Sequence, residues 1–163
     1  MTLLNAPAYD ERKEHLKKAA LIGAGITFAL LVVLTLAGYI SGHGWLFSNL
    51  PAEHRVGTFF AALQSKDYPK AFAIYNNDPD WQQHPDKYKD YPEARFQEDW
   101  STQAPVKGPV QTYHVDISRT DGEGTFGTGI IVAVTVNGDK RVFMYYVRKG
   151  GTLTWPAFHE LEY

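Results

Sequence analysis

The chain has 163 residues and a formal net charge of −2, with 16 Lys and Arg against 18 Asp and Glu. This balance does not favour a nucleic-acid partner, which would call for a clearly basic surface. The chain has no cysteine, which excludes disulfides, thiolate catalysis, cysteine-ligated iron–sulfur or zinc sites and the C-x-x-C-H haem attachment.

A long apolar run dominates the first quarter of the chain. It extends from Ala19 to Ile40 without a charged residue, and a helix of this length spans about 33 Å, enough to cross a bilayer core. We therefore expect a tail over residues 1–18, a transmembrane helix over residues 19–41 and a connector over residues 42–50. A buried core helix would show a more polar face, and a cleaved signal peptide would have a shorter apolar stretch. A weak cleavage site at Gly42–Gly44 stays open as an alternative.

The charges that flank this run predict its orientation. Four cations precede it and none follows before Arg55; they are Arg12, Lys13, Lys17 and Lys18. By the positive-inside rule, the N-terminus is cytoplasmic and the C-terminal domain periplasmic, with the helix in the inner (cytoplasmic) membrane. On the far side, Tyr39, Trp45 and Phe47 fit an interfacial aromatic belt, and Trp45 is also a candidate contact with a partner.

Small residues recur every four positions along the same run. The pairs are Ala20 and Ala24, Gly25 and Ala29, and Gly38 and Gly42. This spacing lets a neighbouring membrane helix approach closely. Because Gly and Ala are common in membrane helices anyway, specific packing and its absence both stay open, and Gly25, Ala29 and Gly38 are our candidate contact residues.

Residues 51–163 are expected to form one domain with a helical front half. Apolar residues spaced i, i+3, i+4 and i+7 predict a helix that begins near Pro51; they are Val56, Phe59, Phe60 and Leu63. Shorter helices are predicted over Lys70–Tyr75 and Pro92–Gln103. In the last of these, Phe96 and Trp100 share one face and are expected in the core.

The second half of this domain has the alternation of β-strands. Tyr113, Val115 and Ile117 are predicted on one face of the first strand, and His114, Asp116 and Ser118 on the other. Further strands are predicted over Phe126–Val136, Arg141–Arg148 and Leu153–Leu161, with a hairpin turn at Asn137-Gly138. The predicted fold class is α+β, with about three helices packed on a curved four-stranded antiparallel sheet.

The stretch V-x-x-F-F-x-A-L-Q-S-K-D-Y-P-K-A-F from Val56 to Phe72, followed by a later helix and long hairpins, resembles the nuclear-transport-factor-like (cystatin-like) superfamily. The resemblance covers residues 51–163 and implies a compact domain on a membrane anchor. Gly108-Pro109-Val110 and the following hairpins are more loosely similar to the cytochrome-oxidase assembly family. Both resemblances imply accessory, assembly or ligand-binding roles, and neither carries a catalytic residue to a position in this chain.

The titratable residues do not form a recognisable catalytic set. An enzyme of this fold would place an acid or base inside a conical pocket, and the candidates are Tyr113, His114, Asp116, Tyr145, His159 and Glu160. They do not converge on one point of the predicted sheet, so we expect no enzymatic activity. The 6 histidines show no ligand spacing, so neither a metal nor a cofactor is expected. Whether His43 touches a cofactor held by a partner stays open.

The segment Asp78–Trp100 is the best candidate for a protein contact. It mixes seven acidic and three basic residues with aromatic ones, and aromatic side chains beside charges are typical of interface anchors. Trp81, Tyr88 and Tyr91 serve equally well as a roof over the core. Together these features predict a non-catalytic membrane-anchored accessory, scaffold or assembly subunit of a respiratory or photosynthetic type of complex. Its partners are the lipid bilayer and other membrane-protein subunits. The alternative is a membrane-tethered ligand-binding or enzymatic domain.

Overall fold

The computed structural model describes residues 10–103, 108–121, 129–157 and 160–161. Its first element is helix α1, Glu11–Ile40, which is long and apolar enough to cross a membrane. The helix begins before the apolar run because the Asp10 side chain caps it, accepting a hydrogen bond from the Lys13 backbone N–H at 3.2 Å. Its most apolar 18-residue window has no buried residue, and Gly38 near its end is the one buried residue of α1.

Three further helices follow in the described residues. They are α2 (Leu50–Gln64), α3 (Tyr68–Asn76) and α4 (Glu93–Glu98), and α4 continues as a π-helical turn over Asp99–Gln103. Short 3₁₀ turns lie at Trp45–Phe47, Trp81–Gln83 and Pro85–Tyr88. The predicted helices are thus confirmed, and Asp67 caps α3 by accepting from the Lys70 N–H at 3.1 Å.

Four antiparallel strands form a curved open sheet in the order β1-β2-β3-β4. They are β1 (Tyr113–Thr120), β2 (Gly129–Val136), β3 (Lys140–Val147) and β4 (Thr152–Thr154). Asn137 and Gly138 both adopt positive φ in the three-residue connection between Val136 and Lys140, so the predicted hairpin turn is confirmed. The predicted last strand was too long: the ladder of β4 ends at Thr154, shortly before Pro156, which has no N–H to donate.

Aromatic side chains fill the space between the helices and the sheet. Phe59 is fully buried and packs edge-on against Trp100, with ring centroids 4.9 Å apart. It also contacts Phe60, Tyr75 and Phe96 at 5.3–6.2 Å. The helix-facing side of β2 closes this core; it consists of Ile130, Val132, Val134 and Val136. The predicted core faces of α2, α4 and β2 are therefore confirmed.

The predicted faces of β1 are wrong after Val115. Val115 pairs with Val134 but Ile117 pairs with Ala133, so Asp116 forms a β-bulge. One extra residue reverses the faces of everything that follows it. Ile117 consequently lies on the sheet face away from the helices, whereas Ser118 is buried at 1% exposure.

Candidate functional site

The connector between α1 and α2 is bonded to the edge of the sheet. The backbone N–H of Ser118 donates to the carbonyl oxygen of Gly42 at 2.7 Å. Strand β1 lies at the sheet edge, where backbone groups lack a neighbouring strand, so this bond satisfies an edge donor. It also fixes the end of α1 to the folded domain.

A buried carboxylate strengthens this junction. Glu53, on α2, is 7% exposed and accepts from Nδ1 of His43 at 2.9 Å and from Oγ of Ser118 at 2.5 Å. Nδ1 of His43 lies 2.9 Å from both carboxylate oxygens of Glu53. The connector, α2 and β1 thereby share one hydrogen-bonded group, as a buried carboxylate requires. We call His43, Glu53, Ser118 and Gly42 the junction cluster.

The order of groups in the junction cluster does not match a nucleophile triad. In such a triad a histidine lies between the hydroxyl and the carboxylate, so that its second nitrogen takes the hydroxyl proton. Here the carboxylate of Glu53 lies between the histidine and the serine. The cluster is therefore suited to holding chain segments together.

Two glycines make the close approach at the junction sterically feasible. A Cβ on Gly38, the buried residue of α1, would lie 2.5 Å from the Gly44 carbonyl oxygen and 2.8 Å from the Phe47 nitrogen. Gly44 itself has φ 79°, a conformation that strongly favours glycine. Gly38 thus packs against its own connector. By contrast, a Cβ on Gly25 would meet nothing within 4 Å.

A cleft of about 500 Å³ opens beside the junction cluster. We call it the junction cleft; its walls include Tyr39, Ile40, Trp45, Asn49, Arg119 and Thr120. The first three come from the end of α1 and the connector, and their side chains are 63%, 80% and 65% exposed. Tyr39 and Trp45 also contact each other, with ring centroids 5.6 Å apart. The cleft therefore joins apolar surface continuous with α1 to polar groups of the domain.

The segment Asp78–Trp100, which we call the acidic–aromatic segment, folds onto the core. Trp81 and Tyr88 pack edge-on against Phe72, at 5.0 and 5.2 Å between ring centroids. Tyr91 contacts Phe96 at 6.2 Å. All three are partly buried, so these contact candidates contribute to the roof of the core, while Gly25 and Ala29 lie exposed on α1.

Asp78 organises the charged part of this segment. Its Oδ2 accepts from the Tyr88 hydroxyl at 2.6 Å and from Nζ of Lys87 at 3.0 Å. These bonds, the Tyr88 bond first, lower the pKa of Asp78 to about 2. Nearby, burial and then the hydrogen bond to Asp99 raise the pKa of Tyr91. The segment is thus pinned by local bonds, with the Nδ1 of His84 3.5 Å from Asp78.

The residues weighed for acid–base chemistry are dispersed in the structure. His114 is exposed, and Asp116 is held by the bulge, where it accepts from Oγ1 of Thr135 at 2.7 Å. Tyr145 donates to Asp121 at 3.0 Å on the outer sheet face. His159 lies outside the described residues.

Within the described part of the chain, no group of three or more His, Cys, Asp or Glu side chains could hold a metal ion. Comparisons of the chain with protein-family models, curated proteins and solved structures found no match. The resemblances to the nuclear-transport-factor-like superfamily and the cytochrome-oxidase assembly family therefore stay predictions from the sequence.

Sequence reasoning missed Glu53, Ser118, Asn49 and Arg119 as a group. Glu53 and Ser118 are 65 positions apart, and the bulge that turns Ser118 inwards has no marker such as Gly or Pro in β1. One sequence signal was available: Glu53 occupies the same helical face as Val56 and Phe60, and a carboxylate on an apolar face indicates a buried partner.

Proposed function

We propose that the protein is a membrane-anchored, non-catalytic accessory subunit of a larger membrane complex. In this proposal α1 crosses the inner membrane with the N-terminus in the cytoplasm, and the α+β domain contacts the complex on the periplasmic side. The supporting observation is the bonded junction between the exposed apolar α1 and the domain, through Gly42 and Ser118. A helix that only anchors a domain to the membrane needs no such junction. A subunit whose helix and domain both bind the same complex benefits from a fixed arrangement of the two.

The shape of the domain favours this function over a ligand-binding enzyme. A conical pocket would occupy the space between helices and sheet, and that space holds Phe59, Phe72, Phe96 and Trp100, each at most 4% exposed. A filled core leaves the outer surfaces and α1 for binding. The polar residues of the acidic–aromatic segment would then form the rim of a domain contact.

Single cysteines test the proposed orientation without background, because the chain has no cysteine. Lys13→Cys and Lys149→Cys place a thiol at exposed sites on opposite sides of the apolar stretch. A membrane-impermeant maleimide should label Lys149→Cys in intact spheroplasts. It should label Lys13→Cys only after the membrane has been permeabilised. The reverse pattern would overturn the orientation, and labelling of both in intact spheroplasts would overturn the membrane span.

Co-purification tests the accessory role. The full chain is isolated from its native membranes in mild detergent, and the accompanying proteins are quantified by mass spectrometry. We expect a stoichiometric set of membrane-complex subunits to accompany the wild type. We expect the recovered amount of these subunits to fall in Gly25→Leu. Gly23→Leu is the matched control, because a Cβ at either glycine meets nothing within 4 Å and the two positions lie about 160° apart around α1. Recovery of the chain alone in several detergents would contradict the proposal.

A further inference from the structure

The junction cleft has the composition of a site for a lipid whose headgroup carries a phosphate. Its apolar wall, Tyr39, Ile40 and Trp45, continues the exposed apolar surface of α1. Its lining also includes Arg119 and Thr120 from β1. Aromatic side chains at the end of an apolar helix are typical of the level at which headgroups lie.

One guanidinium group lines the cleft, and a second is bonded to a residue of its lining. Arg119 lines the cleft directly. Arg148, at the end of β3, donates to Oγ1 of Thr120 at 3.4 Å and so extends towards the same wall. The planar guanidinium group suits paired hydrogen bonds to phosphate oxygens. No Lys or Arg lies between Lys18 and Arg55 in the sequence, so folding is what brings positive charge to this end of α1.

An unpartnered donor gives a second, independent indication. Asn49 lines the cleft and is fully buried. Among the described residues, its Nδ2 has no hydrogen-bond partner. A buried amide donor without an acceptor costs free energy. An acceptor oxygen brought into the cleft would recover that cost, and a phosphate presents several such oxygens.

We propose that the junction cleft binds the phosphate of a glycerophospholipid, with Arg119 and Asn49 as donors and the acyl chains along α1. The site depends on the membrane span in the proposed function and does not depend on a partner complex. A bound lipid would fill the gap between α1 and β1 and stiffen the junction. It would also set the height of the domain above the bilayer.

The test uses the full chain in nanodiscs, released into a mass spectrometer under conditions that retain bound lipid. Matched discs contain phosphatidylcholine with phosphatidylglycerol, or phosphatidylcholine with diacylglycerol, which has no phosphate. We expect retained phosphatidylglycerol and little diacylglycerol, with retention falling about tenfold in Arg119→Gln, the loss typical of a charged hydrogen bond. Lys140→Gln removes the same charge from an exposed site outside the cleft walls and should retain lipid as the wild type does.

Several results would overturn the lipid site. Equal retention of phosphatidylglycerol and diacylglycerol would overturn it. Retention of phosphatidylglycerol by Arg119→Gln at the level of the wild type would overturn it as well. Displacement of the lipid by millimolar inorganic phosphate would reassign the cleft to free phosphate. Failure of the chain to float with vesicles of phosphatidylcholine and phosphatidylglycerol would overturn the membrane span as well. Flotation without lipid selectivity would remove the lipid site alone and leave the proposed function standing.

Discussion

Ser118 donates its backbone N–H to the carbonyl of Gly42, joining the edge strand of the sheet to the residue two positions after α1 ends. The side chain of the same serine donates to Glu53, which also binds His43. One residue of β1 therefore contacts both the connector and α2. Disrupting this arrangement should affect the junction before it affects the aromatic core.

Removing the carboxylate of Glu53 should destabilise the domain. Glu53→Ala leaves the donors of His43 and Ser118 without their acceptor in a buried site, and we expect a loss of about 1–3 kcal/mol in the free energy of unfolding. Urea unfolding of the full chain in detergent, followed by tryptophan fluorescence, measures it. Glu98→Ala is the exposed control and should change stability by less than about 0.5 kcal/mol. Equal effects of the two variants would contradict a specific role for Glu53.

A methyl group at Gly38 should disturb the junction, whereas one at Gly25 should not. The added Cβ of Gly38→Ala would lie 2.5 Å from the Gly44 carbonyl oxygen, and overpacking of this kind costs about 1–3 kcal/mol. The space around Gly25 is open, and Ala favours the helix more than Gly does.

The readout for these glycine variants is hydrogen exchange at the junction. Gly38→Ala should speed exchange of the Ser118 amide, which donates to Gly42. In Gly25→Ala that amide should exchange as in the wild type. Unchanged protection in Gly38→Ala would show that the connector tolerates the methyl group without losing its bond to β1.

The pKa of Asp78 predicts an acid-sensitive part of the stability. It is lowered from 3.8 to about 2, first by the Tyr88 hydrogen bond and then by Lys87. Because the folded pKa is below the unfolded one, the contribution is complete above about pH 4 and is lost as the pH falls through about 2. Tyr88→Phe removes the largest cause, so the pKa of Asp78 should rise towards 3.8.

Unfolding by urea between pH 2 and pH 6 checks this prediction, together with the Asp78 carboxyl shift measured by NMR in the same range. In Tyr88→Phe the free energy of unfolding should fall less steeply between pH 4 and pH 2, because the pKa of Asp78 is then lowered by a smaller amount. Tyr68→Phe removes a hydroxyl from another partly buried tyrosine and should leave the Asp78 titration in place. A wild-type Asp78 titration near pH 4 would contradict the geometry around Tyr88.

Truncation of a buried aromatic ring tests whether the space between the helices and the sheet is tightly packed. Phe96 is fully buried and contacts Phe59, Phe72, Tyr75, Tyr91 and Trp100. Phe96→Ala should cost about 3–5 kcal/mol of unfolding free energy. Trp45→Ala, at a ring that is 65% exposed, should leave the urea midpoint nearly unchanged. A small loss in Phe96→Ala would show that this space collapses readily or admits water.

Periodicity predicted the parts of this fold that depend on the regular spacing of apolar residues along the chain. The apolar run of α1, the i, i+3, i+4, i+7 face of α2 and the alternation of β2 depend on local pattern, and all three appear in the structure. The Asn137-Gly138 hairpin was equally predictable, because few residue pairs accept positive φ twice in succession.

The candidate site was not predictable in the same way. Its buried carboxylate, Glu53, meets Ser118 only after a bulge at Asp116 has reversed the faces of β1. A bulge shifts the pairing register without changing local composition, so alternation placed Ser118 on the wrong face. The junction cleft likewise arises from segments that are adjacent only in the folded chain, such as Trp45 and Arg119.

Photo-crosslinking within native membranes tests most directly whether α1 packs against a larger complex. A photoreactive residue is placed at Ala29, one turn after Gly25 on the same face, or at Leu30, which is exposed and points about 100° away from Ala29 and away from the other small-residue pairs as well. An accessory subunit predicts a discrete crosslink from Ala29 to another membrane protein, with much less from Leu30. Crosslinks to lipid alone from both positions would contradict the accessory role.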